Sequence, residues 1–246
     1  MESENKYLLL ARRAREENNA EDAKKYYDIV RTDDPDNVEA KFFYSYYRMM
    51  GCKQGQAADE FITFCNSINS TVSMLIASDY TKVEKLEFIN AIYNCIMTAF
   101  RAATNSNRNI GGSRGGDIFK ALRTTVDNLF SKIKKDCADD RDMLKLEVLL
   151  RSAYLTAIEE QLWKKTLCEE RFALGDDIEK LFVSDDAVMK HALKHWKAAV
   201  ADGQRWPGVV EDKTKLASYA EKIKKYEPGY VMPEAAKSKG CIQYGK

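Results

Sequence analysis

The chain has 246 residues, of which 45% are hydrophobic and 31% charged, and its 39 Lys and Arg side chains nearly balance its 38 Asp and Glu side chains. This composition is typical of a globular protein rather than of a disordered or membrane-embedded one. No apolar run approaches the roughly 20 residues that a membrane-spanning helix needs. A net charge of +1 also lacks the basic excess of most nucleic-acid-binding domains. We therefore expect neither a membrane nor nucleic acid as a partner.

Helix breakers are rare, with only four prolines and twelve glycines. Apolar residues recur three and four positions apart along most of the chain, and no strand-like alternation bounded by hairpin turns occurs. The sequence therefore predicts an all-α fold.

The cysteines and the start of the chain predict in which cellular compartment the protein resides. The six cysteines are scattered and have no metal-binding Cys-x-x-Cys spacing, which predicts free thiols in a reducing cytoplasm. The polar start, Met1–Asn5, predicts no signal peptide, and Cys241 lies too far from Lys246 to be a prenylation site.

Four short helices are predicted in the first 68 residues. Ser3 or Asn5 can cap the first, because a short polar side chain there accepts a free amide hydrogen. Pro35 ends the second, since proline cannot continue a helix. The first helix runs to about Glu17, the second covers about Ala20 to Arg31, the third ends at Met50, and the fourth contains Ala57, Phe61 and Phe64.

These helices carry a repeat of 34 residues, the distance from Ala23 to Ala57 and from Tyr27 to Phe61. The matching positions are Tyr7, Leu10, Ala11, Ala23, Tyr27 and Pro35 in one copy and Tyr44, Ser45, Ala57 and Phe61 in the next. In these residues the chain resembles the tetratricopeptide repeat family, over about residues 4–68. Lys41 and Asn69 depart from the pattern in the second copy, where the family has an aromatic residue and a proline.

The resemblance implies a stack of helical hairpins whose concave face binds a peptide or protein. Carried over position by position, it predicts a groove formed by Leu8, Arg12, Arg15, Phe42, Tyr46 and Met49, with Asn5, Glu16, Glu39 and Met50 also on that face. The two arginines would hold a carboxylate or phosphate, and the apolar side chains would form an adaptable wall. The alternative is that Phe42 and Tyr46 are buried by the next helix and that the arginines are only solvated.

One subtype of the family clamps chaperone C-termini with a lysine and an asparagine four residues apart. Leu8 and Arg12 occupy those positions here, so we do not expect this chain to be a chaperone-tail receptor.

Beyond residue 68 the sequence stays helical without the motif. We predict a long helical continuation over 69–106, a glycine-rich linker at 107–116, a C-terminal helical region over 117–226 and a tail over 227–246. Helices in the C-terminal region are expected from Asp117, from near Asp139, and over about 176–183, 185–201 and 212–226. Two architectures remain open: one irregular solenoid, or a tetratricopeptide start joined to a helical bundle at about 105–116.

Catalytic patterns are missing from the sequence. The glycine-rich segment lacks the Gly-Lys-Ser/Thr ending of a phosphate-binding loop, and no Gly-x-Ser-x-Gly nucleophile motif occurs. His191 and His195, the only histidines, lie four apart on a predicted helix, as in half of a metal site, but Ala192 stands where a zinc protease has its glutamate. We predict a non-enzymatic binding scaffold without a cofactor; the alternative is a small-ligand or metal pocket near the two histidines.

Overall fold

The computed structural model describes residues 5–206 and 208–235. Within these residues the chain is all-α, as predicted, with ten α-helices and no strand. The helices are α1 Lys6–Glu16, α2 Ala20–Asp33, α3 Val38–Met50, α4 Ala57–Ala77, α5 Lys82–Asn109, α6 Gly115–Asp136, α7 Arg141–Ala157, α8 Lys164–Phe182, α9 Asp186–Arg205 and α10 Lys213–Tyr226. Among the described helices, none has the length and apolarity to cross a bilayer. The chain divides into an N-terminal unit, Met1–Leu144, and a C-terminal unit, Lys145–Lys246.

Asparagine side chains determine where the first three helices begin. The side-chain oxygens of Asn5, Asn19 and Asn37 accept hydrogen bonds from backbone amides in the first turns of α1, α2 and α3. Each cap satisfies an amide that has no partner inside its helix. The predicted cap at Asn5 is therefore confirmed, whereas the alternative, Ser3, lies outside the described residues.

In the N-terminal unit, helices α1 to α5 pack as successive neighbours, and α6 packs on α4 and α5. Aromatic side chains fill the space between the first helices. Tyr27 of α2 is fully buried, with its ring stacked on Phe43 of α3 at 5.3 Å between centroids. Because short loops join them, α1 to α4 each pack on the next helix, while α5 also contacts α3 and α6 also contacts α4.

The glycine-rich segment differs from the predicted linker. Helix α5 continues to Asn109 and α6 begins at Gly115. Asn107 donates a hydrogen bond to the carbonyl of Gly112 at 2.9 Å, and a Cβ on Gly112 would lie 2.3 Å from the Asn107 side chain. The glycine thus permits a tight turn within the N-terminal unit, and the chain divides instead within α7. Asp117, predicted as the cap of α6, lies in its first turn.

The C-terminal unit depends on a close approach of α8 to α9. A Cβ on Gly175 would lie 2.2 Å from Nε1 of Trp196, which is fully buried. Helix α8 starts at Lys164, well before the predicted start at Asp176, while α9 and α10 begin where predicted. The carboxylates of Asp185 and Asp212 cap these two helices.

Helix α7 buries only part of the face that helical spacing predicts for it, which comprises Met143, Leu146, Leu150, Ala153 and Ala157. Met143 and Leu150 are buried and Leu146 is half-buried, whereas Ala153 and Ala157 are exposed. Val148, Tyr154 and Leu155 are also buried, as are the polar residues Glu147 and Ser152. The buried face therefore includes Val148 and Leu155, and from it Ser152 forms hydrogen bonds with side chains of α9.

The described part of the predicted tail lies against α9. Glu227 forms an ion pair with Lys197, and the amide of Gln204 lies 3.3 Å from the sulfur of Met232. The rest of the tail, including Cys241, lies outside the described residues. The five described cysteines are free thiols.

Candidate functional site: a cavity between α1, α3 and α5

A cavity of about 620 Å³ opens in the N-terminal unit between α1, α3 and α5. It is lined by Arg12, Arg15, Glu39, Phe43, Tyr80, Glu84, Glu87, Phe88, Ala91, Asn94 and Cys95. The α5 residues recur three and four apart, so they form one stripe on that helix. Tyr80 belongs to the loop between α4 and α5. The cavity therefore depends on residues far apart in the sequence.

A buried glutamate holds one end of this cavity together. Arg12 donates to Glu39 from Nε and Nη2 at 3.0 and 2.8 Å, and Arg15 donates from Nη1 at 3.2 Å. The hydroxyl of Tyr27 donates to the same carboxylate at 2.9 Å. We call these four residues the Glu39 cluster. Since Glu39 is only 7% exposed, its charge needs these donors, and they join α1, α2 and α3.

The two arginines that were predicted to bind a partner belong to the Glu39 cluster. Arg12 and Arg15 line the cavity, but both form ion pairs with Glu39 of their own chain and are not merely solvated. Arg15 also lies over the ring of Phe43, 4.3 Å from its centroid. Burial and the neighbouring Glu39 raise the pKa of Tyr27, so its hydroxyl stays protonated and continues to donate.

The other predicted groove residues do not form an exposed wall. Leu8, Phe42 and Met49 are 9%, 0% and 2% exposed and belong to the core. Tyr46 is half-buried, 6.0 Å from Phe64 between ring centroids, and burial raises its pKa to about 12. The expectation of an apolar wall from Phe42, Tyr46 and Met49 is therefore corrected, because neighbouring helices cover these side chains.

A different aromatic wall, made of Phe43, Tyr80 and Phe88, lines the cavity. The rings of Phe43 and Phe88 stack with centroids 5.9 Å apart, and Tyr80 lies 6.4 Å from Phe88. Tyr80 and Phe88 are half-buried, so part of each ring faces open space. Burial raises the pKa of Tyr80, as do Glu39 and other nearby carboxylates. Sequence reasoning missed this wall; the only signal for it was the presence of two aromatic residues, Tyr80 and Phe88, in the predicted helical continuation over 69–106.

Two glutamates on α5 form the acidic side of the cavity. Glu84 accepts hydrogen bonds from the backbone amide and the hydroxyl of Thr81, both at 2.7 Å, which lower its pKa. Glu87 is exposed and makes no hydrogen bond or ion pair within residues 5–206 and 208–235. Its carboxylate is thus available to a ligand.

The two histidines form a separate cluster in the C-terminal unit. The hydroxyl of Ser152 lies 2.9 Å from Nδ1 of His191 and 2.8 Å from Nε2 of His195. A hydroxyl has one proton, so it donates to one imidazole and accepts from the other when both are neutral. Burial lowers the pKa of His195 to about 3, with help from nearby cations such as Arg171. Sequence reasoning found the shared face of the histidines but not the serine.

This histidine cluster differs from the metal half-site considered above. Both imidazoles direct a nitrogen to Ser152, which is itself buried. Among the residues that the structure describes, no group of three or more His, Cys, Asp and Glu side chains is arranged to hold a metal ion.

No protein-family model, curated protein or solved structure matches this chain. The tetratricopeptide resemblance therefore remains a prediction from the residues that carry it.

Proposed function

We propose that the protein is a non-enzymatic, tetratricopeptide-like helical scaffold that binds a polypeptide in the cavity between α1, α3 and α5. The observation that carries this proposal is the cavity itself, in which an aromatic wall adjoins charged groups. Partly exposed aromatic residues beside polar groups are typical of the centres of protein interfaces.

The rigidity of the cavity supports binding. Its arginines are fixed by the buried Glu39, and its aromatic rings are fixed by stacking on one another. A preorganised site loses little conformational entropy when a ligand enters. An extended peptide can therefore insert one side chain without rearrangement of the three helices.

The chemistry of the lining also favours binding over catalysis. Cys95 is the lining side chain best suited to act as a nucleophile, but burial raises its pKa to about 12. The thiol is therefore protonated at neutral pH, and the thiolate is the reactive form. A set of free cysteines further supports our placement of the protein in the reducing cytoplasm.

A matched pair of tryptophan variants tests the proposed function. Asn90 and Asn94 are both exposed on α5, but only Asn94 lines the cavity. We would select a phage-displayed random-peptide library against the full chain and against the Asn94→Trp and Asn90→Trp variants. We expect wild type and Asn90→Trp to enrich the same peptides and Asn94→Trp, whose indole fills the cavity, to lose them. No enrichment by wild type, or unchanged enrichment by Asn94→Trp, would overturn the proposal.

A further inference from the structure

The charges that line the cavity are not equally available. Two arginines and three glutamates line it, so its formal charge is −1. The arginines both bind Glu39, which is almost fully buried. Glu39 thus occupies the position that the carboxylate of an acidic partner would take. Such a partner would have to compete with an internal carboxylate that cannot move into solvent without breaking three hydrogen-bonded contacts.

The aromatic wall already binds a cation of this chain. The guanidinium of Arg15 lies 4.3 Å from the centroid of the Phe43 ring, a cation–π distance. Phe88 continues the wall beyond Phe43, and Tyr80 continues it beyond Phe88. These two rings are half-buried. A second cation therefore has aromatic surface of the same kind beside the first.

The free carboxylate of Glu87 lines the same cavity as this wall. Glu87 precedes Phe88 on α5, and both line the cavity. Glu84, one turn earlier, is partly engaged by Thr81, whereas Glu87 has no such partner within the described residues. A carboxylate beside an aromatic face satisfies both parts of a long cationic side chain, since the ring covers its methylene groups and the carboxylate pairs with its charge.

We propose that the cavity takes a lysine or arginine side chain of the bound polypeptide, between the aromatic wall and Glu87. The partner is thus a basic peptide segment, the reverse of the acidic partner expected from the arginines. This inference rests on the proposed function and specifies the chemistry of its ligand.

Degenerate peptide pools test the inference. The pools would be fluorescently labelled and random except for one central residue, which is arginine, lysine, citrulline or glutamate. Citrulline keeps the shape of arginine without its charge. In fluorescence-polarisation titrations of the full chain, we expect the arginine and lysine pools to bind about tenfold more tightly than the other two.

Variants at Glu87 assign that preference to the cavity. Glu87→Gln removes the charge from an exposed, unbonded side chain, so the fold should persist. The affinities for the arginine and lysine pools should then become nearly equal to those for the citrulline and glutamate pools. Glu87→Asp should retain most of the preference, and Glu21→Gln, an exposed glutamate of α2 outside the cavity, should leave it unchanged.

The outcomes separate this inference from the proposed function. If the citrulline or glutamate pool binds as tightly as the arginine pool, or if Glu87→Gln keeps the preference, the inference is wrong while peptide binding stands. If no pool binds, both are wrong.

Discussion

In the N-terminal unit, a glutamate and two arginines lie in the wall of an open cavity, whereas in the C-terminal unit a buried serine joins a buried and a half-buried histidine between helices α7 and α9. The first cluster is charged and partly solvated, with arginine side chains about one-third exposed. The second is neutral, and Ser152 and His195 are buried. Polar groups thus have two expected roles in one helical chain: the open cluster shapes the proposed binding cavity, and the closed cluster is expected to make stability depend on pH.

Gly175 in the C-terminal unit and Gly116 in the N-terminal unit differ in the space around them. In the C-terminal unit, the Trp196 ring occupies the space where any side chain at position 175 would project. In the N-terminal unit, Gly116 of α6 has no atom within 4 Å of a Cβ built on it. All three tryptophans belong to the C-terminal unit, so their fluorescence reports on that unit alone.

The largest effect is expected at the helix contact. Gly175→Ala forces a methyl group against the buried indole and should lower the free energy of unfolding of the C-terminal unit by about 3 kcal/mol. Urea unfolding followed by tryptophan fluorescence measures it. Gly116→Ala is the control and should leave that transition unchanged. Equal midpoints for Gly175→Ala and wild type would show that α8 and α9 have room to separate.

The next effect concerns the Glu39 cluster. Glu39→Gln removes the charge that satisfies two arginines, and because these are partly solvated we expect a loss of about 2 kcal/mol in the N-terminal unit. Hydrogen exchange of the backbone amides in α1 to α3, read by mass spectrometry, should speed up accordingly.

The matched control for that variant is Glu60→Gln, which removes an ion pair with the exposed Arg48. A pair of this kind contributes about 0.5 kcal/mol, so exchange should change little. If the two variants behave alike, the buried cluster does not hold α1, α2 and α3 together.

The smallest effect on stability is the pH dependence of the C-terminal unit. The pKa of His195 is about 3 in the folded chain and near its ordinary 6.5 in the unfolded one. Below pH 6.5 the unfolded chain therefore binds more protons than the folded chain. The stabilisation linked to neutral His195 is fully present above pH 6.5 and is lost as the pH falls. Between pH 7 and pH 5.5 the loss should be about 1 kcal/mol, measured by urea unfolding and tryptophan fluorescence.

A histidine variant isolates the cause. His195→Gln has no proton to gain in this range and should remove most of the dependence, leaving the contribution of His191, whose pKa is also lowered by burial. The N-terminal unit contains no histidine, and the protection of its amides, corrected for the intrinsic pH dependence of exchange, should show no comparable change. A C-terminal unit equally stable at both pH values would mean that His195 is protonated without cost.

Local signals in the sequence account for most of the secondary structure. Asn5 caps α1 as predicted, and Asp185 and Asp212 cap α9 and α10 at the predicted starts of these helices, because capping depends only on a residue and its immediate neighbours. The glycine-rich segment was predicted as a linker from its composition. Composition does not reveal that the Asn107 side chain leaves no room for a Cβ at Gly112. The start of α8 was missed because Trp163, which precedes it, provides no side-chain cap.

The candidate site was only partly predictable. Arg12 and Arg15 were identified, and Glu39 was placed on the same face, but their mutual binding requires knowledge of how α1 packs on α3. The aromatic wall combines Phe43 with Phe88, and Phe88 lies beyond the segment that resembles the repeat family. Long-range packing of α5 against α3 thus decided which aromatic residues were covered and which remained open.

The most direct test of the account is a chemical-shift map of peptide binding on the full chain. Transverse-relaxation-optimised amide spectra would be recorded with and without the degenerate pool that carries a central arginine. The account predicts that the perturbed amides cluster on α5 from Glu87 to Cys95 and around Arg12 and Arg15 of α1. Perturbations confined to the C-terminal unit, or no perturbation at saturating peptide, would contradict the claim that this cavity binds a polypeptide.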